Sequence, residues 1–172
     1  LVVLPELLEK LRVIRPILVG HSDGASIALI HAGARQREVA GLVAMAPHTW
    51  VEDVCIEGIE QAVESFRSPE LRSRLARYHR DADATFRAWT STWLDPQFRS
   101  WNIEEYLPAI RCPILAIQGY DDEYGTMEQI ERIAARSGNV ELLKLADCRH
   151  SPFKDQPEIV REAVVRFVTE IS

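Results

Sequence analysis

The sequence predicts an α/β fold, a mostly parallel sheet flanked by helices with a helical segment inserted between two of its strands. Three observations predict it. Short, apolar, β-branched runs such as Ile17-Leu18-Val19 alternate with segments of helical spacing. The first such run empties into the turn Gly20-His21-Ser22-Asp23-Gly24, ahead of a helical pattern. The strand signal then disappears from His48 to Ile110 and resumes afterwards.

Each element has its own signal. Leu4, Leu7, Leu8 and Leu11 space a first helix, with Pro5 in the first turn, where its missing N–H costs nothing, and Arg15-Pro16 as its stop. Ile17 to Gly20 reads as a strand buried on both faces. Ala25, Ile27, Ala28, Leu29, Ala32 and Ala34 carry the next helix. After the polar turn Arg35 to Glu38, Val39 to Ala46 is a second buried strand, stopped by Pro47. Strand, helix, strand in such short compass is a βαβ unit, which builds a parallel sheet by a right-handed crossover.

The stretches 52–66, 69–79 and 83–94 show helical spacing, and their block holds all four tryptophans, Trp50, Trp89, Trp93 and Trp101. Strands resume at Pro113 to Gln118 and Val140 to Leu145, separated by the loop Gly119 to Gly125 and a helix over Thr126 to Ser137. The loop Ala146 to Pro152 leads to a terminal helix with Ile159, Val160, Val164, Phe167 and Val168 on one face. The division expected is therefore a core of residues 1–47 and 111–172 with an insertion at 48–110.

Composition narrows the function classes. With 172 residues, 47% hydrophobic, 27% charged, 8 Gly and 9 Pro, the chain is of ordinary globular make-up, neither disordered nor fibrous. Twenty Lys and Arg against 26 Asp and Glu leave a net charge of −6, without the basic field a nucleic-acid partner requires. Cys55, Cys112 and Cys148 are widely spaced, which supports neither a disulfide framework nor a structural metal site. No apolar run approaches the ~20 residues of a membrane helix, and Leu1 to Leu4 lacks the basic flank of a signal peptide, so a cytoplasmic setting is expected.

The chemistry gathers on three loops. A serine on a sharp strand-to-helix turn exposes its hydroxyl above the sheet, at a helix N-terminus that favours developing negative charge. The glycines two before and two after Ser22 are expected to be required because strand and helix pass very close there. A serine hydroxyl is a poor nucleophile at neutral pH and needs a histidine base and a carboxylate that orients it. Later strands lead into Gly119-Tyr120-Asp121-Asp122-Glu123 and Asp147-Cys148-Arg149-His150-Ser151-Pro152, giving the order serine, acid, histidine. In a parallel sheet these loops share the carboxyl edge. From spacing alone the acid is Asp121 or Asp122.

These motifs resemble the α/β-hydrolase family, with Gly20 to Gly24 as nucleophile elbow, Pro113 to Asp122 as acid strand and loop, and His150-Ser151-Pro152 ahead of Asp155-Gln156-Pro157-Glu158 as histidine loop and last helix. The resemblance implies Ser22, Asp122 and His150 as catalytic residues, the acid falling three places after Gly119. It makes the 48–110 block a helical lid whose tryptophans mostly form the lid core, with Trp89 or Trp93 facing either the site or that core, and it requires no cofactor or metal. It implies the backbone N–H of Asp23 as an oxyanion-hole donor. The family has further strands ahead of the elbow, one loop among which supplies a second donor, and no such segment stands in this sequence. The expectation is therefore a C-terminal portion, nearly inactive alone, whose free sheet edge is covered by an upstream segment, a second copy or a partner chain.

The expected activity is a serine hydrolase acting on an ester, thioester, amide or activated carbonyl of a small, partly apolar molecule. The alternatives are carbon–carbon bond hydrolysis on the same scaffold, or a non-catalytic binding protein that kept the fold. His21 and His48 follow strands at the active edge and either line the pocket or pack. His31 and His79 read as structural or solvated, and Arg67, Arg72, Arg74, Arg77 and Arg80 as a solvated helix face.

Overall fold

In the computed structural model, which describes residues 2–35 and 37–171, four strands form one parallel sheet in sequence order. Leu1, Ser172 and Gln36, which falls in the turn expected at Arg35 to Glu38, lie outside the described residues. The strands are β1 (Ile17–His21), β2 (Gly41–Met45), β3 (Ile114–Gly119) and β4 (Val140–Leu145). Their register pairs Val19 with Val43, Val43 with Leu115, and Leu115 with Glu141.

The chain divides into two compact units, one of residues up to Trp50 together with those from Asn102 onward, the other Val51–Trp101. In the first, α1 (Val3–Lys10) precedes β1, α2 (Asp23–Gly33) links β1 to β2, and α6 (Glu128–Arg136) links β3 to β4. A short α7 (Pro152–Asp155) and the long α8 (Pro157–Ile171) follow β4. The second unit holds α3 (Asp53–Phe66), α4 (Pro69–Ala76), α5 (Ala82–Trp93) and a 3-10 turn at Pro96–Ser100.

The hydrophobic core sits on the central strands. β2 and β3 are buried at every position, and Val43, Met45, Leu115, Ile117 and Leu145 pack with Cys148, Val160 and Phe167 of the segments that follow β4. Each fully buried Leu or Ile contributes roughly 1.5–3 kcal/mol. Two expectations need correction. β1 is not buried on both faces: it is an edge strand, and Val19 is 57% exposed. α1 ends at Lys10, well before Arg15-Pro16, and buries only Leu8. On α8, Ile159 is exposed while Val160 and Phe167 are buried.

Where the chain leaves the core unit and where it returns, the two strands of backbone are neighbours. Trp50 and Asn102 form an antiparallel bridge, and the Ile103 N–H donates to the Thr49 carbonyl at 2.8 Å. Helix α6 holds this neck. Gln129 Oε1 accepts from the Thr49 N–H at 2.7 Å and its hydroxyl at 3.0 Å, and Gln129 Nε2 donates to the Trp50 carbonyl at 3.2 Å. The Arg132 guanidinium lies 3.8 Å from the Trp50 ring centroid, and Glu104 is within 3.5 Å of Arg132 and 3.3 Å of Arg136.

The inserted unit is built from local signals. Ser68 caps α4 through the Glu70 N–H, and Asp81 caps α5 through the Ala84 N–H. Its core is aromatic: Phe66 stacks on Phe86 at 3.9 Å, and Trp93 meets Phe98 and Trp101 edge-on at 5.2 and 5.8 Å. Trp93 is buried and Trp89 partly so. α4 buries no residue, in keeping with its arginines facing solvent.

Candidate active site

The turn after β1 is strained. Ser22 has φ 55° and ψ −125°, a conformation that costs a non-glycine residue on the order of 1–3 kcal/mol. Backbone bonds hold it there: its N–H donates to the Met45 carbonyl at 2.9 Å, and its carbonyl accepts from Ala25 at 2.9 Å and Ser26 at 3.2 Å. A Cβ on Gly20 would lie 2.4 Å from the Gly24 carbonyl oxygen, so only glycine fits. The same does not hold for Gly24, whose Cβ would meet open space. The close approach is made by the Gly24 backbone and leaves its side-chain direction facing outward, so one of the two expected glycine requirements is real.

The acid and histidine loops are stitched together. A Cβ on Gly119 would sit 2.0 Å from the Cys148 carbonyl oxygen, which is how closely the histidine loop crosses the end of β3. The Tyr120 N–H donates to Leu145 O at 2.9 Å, the Asp121 N–H to Cys148 O at 3.0 Å, and the His150 N–H to Glu123 Oε2 at 3.2 Å.

This lattice brings Ser22, Asp122 and His150 together. His150 Nδ1 lies 2.9 and 3.0 Å from the two Asp122 carboxylate oxygens, and His150 Nε2 lies 2.9 Å from Ser22 Oγ. A carboxylate only accepts, so Nδ1 carries the proton and Nε2 is left to receive the serine hydroxyl. The Asp122 side chain is 1% exposed; its Oδ1 also accepts from the Tyr124 N–H at 2.8 Å and its Oδ2 from Gln118 Nε2 at 2.7 Å. Asp121 is exposed and meets the histidine loop through its backbone alone.

The other histidines at this edge are placed differently. The His21 Nε2–H donates to the His150 carbonyl at 2.6 Å, and its ring packs 5.0 Å from His150 and 5.1 Å from Phe153. Burial pulls its pKa below the ordinary histidine value, against the opposing bond to that carbonyl. His48 is 3% exposed, with its ring 5.8 Å from His150, and burial pulls its pKa down to about 4. Its backbone is tied to α2, the Ser26 hydroxyl donating to His48 O at 2.7 Å. Asp23 is the first residue of α2, directly after Ser22, with its side chain exposed. Trp89 and Trp93 belong to the other unit. Sequence reasoning missed Tyr124, whose ring stands 4.8 Å from His150, and Gln118. The second had a signal: it is the sole polar residue in the run Ile114 to Gly119.

Among the described residues, no group of three or more His, Cys, Asp or Glu side chains is placed to hold a metal ion, and no helix is long and apolar enough to cross a membrane. A parallel sheet whose carboxyl edge presents a strained serine to a histidine and a carboxylate defines a hydrolase scaffold. Residues 2–163 match the alpha/beta hydrolase family, and the chain belongs to it. No curated protein matches the sequence. Solved structures do. A meta-cleavage product hydrolase from Pseudomonas fluorescens IP01 is 20% identical with a TM-score of 0.72, matching 98% of this chain and 70% of its own. A bacterial membrane phospholipase A is 20% identical with a TM-score of 0.78, over 98% of this chain and 61% of its own. The enol-lactonase from Burkholderia xenovorans LB400 is 16% identical with a TM-score of 0.67, over 96% and 70%. At these identities the likeness is one of fold.

Proposed function

We propose that the chain carries the catalytic residues of a serine hydrolase acting on an ester, thioester, amide or activated carbonyl of a small, partly apolar molecule. The observation that carries this reading is the 2.9 Å approach of His150 Nε2 to Ser22 Oγ, with Nδ1 held by Asp122 on the far side of the ring. Ser22 Oγ attacks the carbonyl carbon as His150 takes its proton. Asp122 keeps the imidazole in the Nδ1–H tautomer and stabilises the imidazolium. The backbone N–H of Asp23 serves the oxyanion. His150 then returns the proton to the leaving group, and a water, activated by the same imidazole, hydrolyses the acyl-enzyme.

The Val51–Trp101 unit is read as a lid, with Trp89 or Trp93 contributing its apolar wall, and the protein as cytoplasmic. The free edge of β1 is read as covered by an upstream segment or a second copy; a monodisperse monomer of these residues alone in analytical ultracentrifugation would contradict that. Carbon–carbon bond hydrolysis is the second reading, kept by the likeness to a meta-cleavage product hydrolase.

A fluorophosphonate probe tests the central claim. Stoichiometric labelling of Ser22 in the full protein, abolished by Ser22→Ala, is the expected result. Absence of labelling in the folded protein would favour a binding protein that kept the fold.

A further inference from the structure

Gln118 stands where the rest of β3 is apolar, and it is 0% exposed. Its Nε2 donates to Asp122 Oδ2 at 2.7 Å and to the Gly125 carbonyl at 3.0 Å. Both partners are acceptors, so the amide has one workable orientation. Turning it over would set a carbonyl oxygen against a carboxylate and a second carbonyl. The orientation leaves Oε1 buried with no hydrogen-bond partner among the described residues. An apolar side chain of the same length would fill this place in the strand without burying an orphan Oε1, but it would donate to neither Asp122 nor Gly125. The residue type is thus explained by what its N–H groups hold.

What they hold is the carboxylate plane. The Tyr124 N–H draws Oδ1 from one side and Gln118 draws Oδ2 from the other, while His150 Nδ1 sits almost equally far from both oxygens, at 2.9 and 3.0 Å. With the Gln118 bond removed, Oδ2 keeps no donor but His150 while Oδ1 stays on the Tyr124 N–H, so the carboxylate can tilt about its Cβ–Cγ bond and the imidazole loses one of the two oxygens that fix its aim at Ser22. We propose that Gln118 is a positioning residue for the catalytic acid, its amide locking the Asp122 carboxylate in the orientation that aims His150 at Ser22. This rests on the serine hydrolase reading above.

The second bond, to Gly125, closes the acid loop, so the test must separate positioning from loop structure. In the full-length protein, Gln118→Met keeps length and packing but donates nothing, and Gln118→Glu keeps the shape while setting an acceptor against an acceptor. Two readouts respond to the carboxylate rather than to the loop. One is the limiting rate constant of fluorophosphonate labelling at Ser22, set against the probe concentration that half-saturates it. The other is the far-downfield proton resonance of His150 Nδ1–H. Gln118→Met is expected to lower the limiting rate about 10- to 100-fold with half-saturation unchanged, and to shift or broaden the resonance. Gln118→Glu is expected to lose more, and it supplies the same comparison should the methionine variant fail to fold. A folded variant that labels at the wild-type rate with the wild-type resonance overturns the inference alone, provided Ser22→Ala abolishes labelling. Labelling that survives Ser22→Ala overturns the serine reading and the inference with it.

Discussion

The core unit and the inserted unit are held together in different ways. In the core, several polar bonds at the carboxyl edge are buried or half-buried and join residues far apart in sequence: Ser22 to His150, Thr49 to Gln129, His21 to His150. In the inserted unit they are mostly local and exposed, as in the caps at Ser68 and Asp81, the Arg67–Glu64 pair and the Arg72–Asp83 pair. Its cohesion comes from aromatic rings. The first kind of bonding fixes three groups to bond-length tolerance, which proton transfer demands. The second keeps a unit folded while leaving its surface open to change, because exposed ion pairs contribute little.

If that contrast is right, the largest effects belong to single atoms at the carboxyl edge. On the serine hydrolase reading, Asp122→Asn in the full protein should lower turnover by about 10⁴-fold, since an amide in place of the carboxylate favours the wrong imidazole tautomer. Asp121→Asn should leave turnover within about threefold of wild type, measured in parallel on the same activated ester. Equal losses in both would mean that the acid is shared and the edge less specific than its geometry.

Within the inserted unit the contrast predicts sensitivity to ring removal and indifference to charge removal. Trp93→Ala should cost about 3–5 kcal/mol in that unit's stability, read by chemical denaturation. Arg72→Ala should leave the transition where it was, although Arg72 pairs with Asp83 and lies 5.9 Å from the Phe66 ring. The reverse ranking would mean that ion pairs, not rings, hold the unit together.

His48 makes the core unit sensitive to pH. Its pKa lies at about 4 in the folded chain, against an ordinary value near 6.5, because burial disfavours the imidazolium. Folding therefore favours the neutral ring. That preference is fully present above about pH 6.5 and is lost as pH falls through about 4, a difference of about 3 kcal/mol. Urea unfolding across this window should show the core weakening on acidification, and His48→Gln should flatten that slope. An unchanged slope in the variant would place the acid sensitivity elsewhere.

The smallest effect separates the two glycines of the elbow. Gly24→Ala, a change into open space, should shift stability by less than about 0.5 kcal/mol, whereas Gly20→Ala should prevent the native turn from forming. Equal tolerance at both positions would show that the turn relaxes.

Much of this architecture is legible in the sequence, for a physical reason. β2 and β3 are buried throughout, so their apolar runs stand out. The helices of the inserted unit read from spacing alone, with α3 running from Asp53 to Phe66 against an expectation of 52–66. The elbow and the two later loops were legible because their residue types are rare in combination. What escaped depends on close approach in three dimensions. Whether Gly24 is needed turns on the direction of one Cα–H bond, and Asp121 and Asp122 have the same chemistry until the loop's path points one of them at His150. The two 3-10 turns at Pro96–Ser100 and Glu104–Ala109 have no periodic signal long enough to detect. Exposure of Val19 is a property of its neighbours in space.

The bridge between Trp50 and Asn102 has an evolutionary consequence. Since the outgoing and returning backbones already run side by side and are clamped by Gln129 and Arg132, the two ends of the inserted segment are held by bonds made within the core unit itself. A hairpin of about two to five residues would suffice to join them, and lengthening whatever joins them adds only about 0.6 kcal/mol per doubling. Descendants of one such core can therefore exchange the whole cassette of residues 51–101 in a single recombination event while the serine, histidine and carboxylate stay where they are.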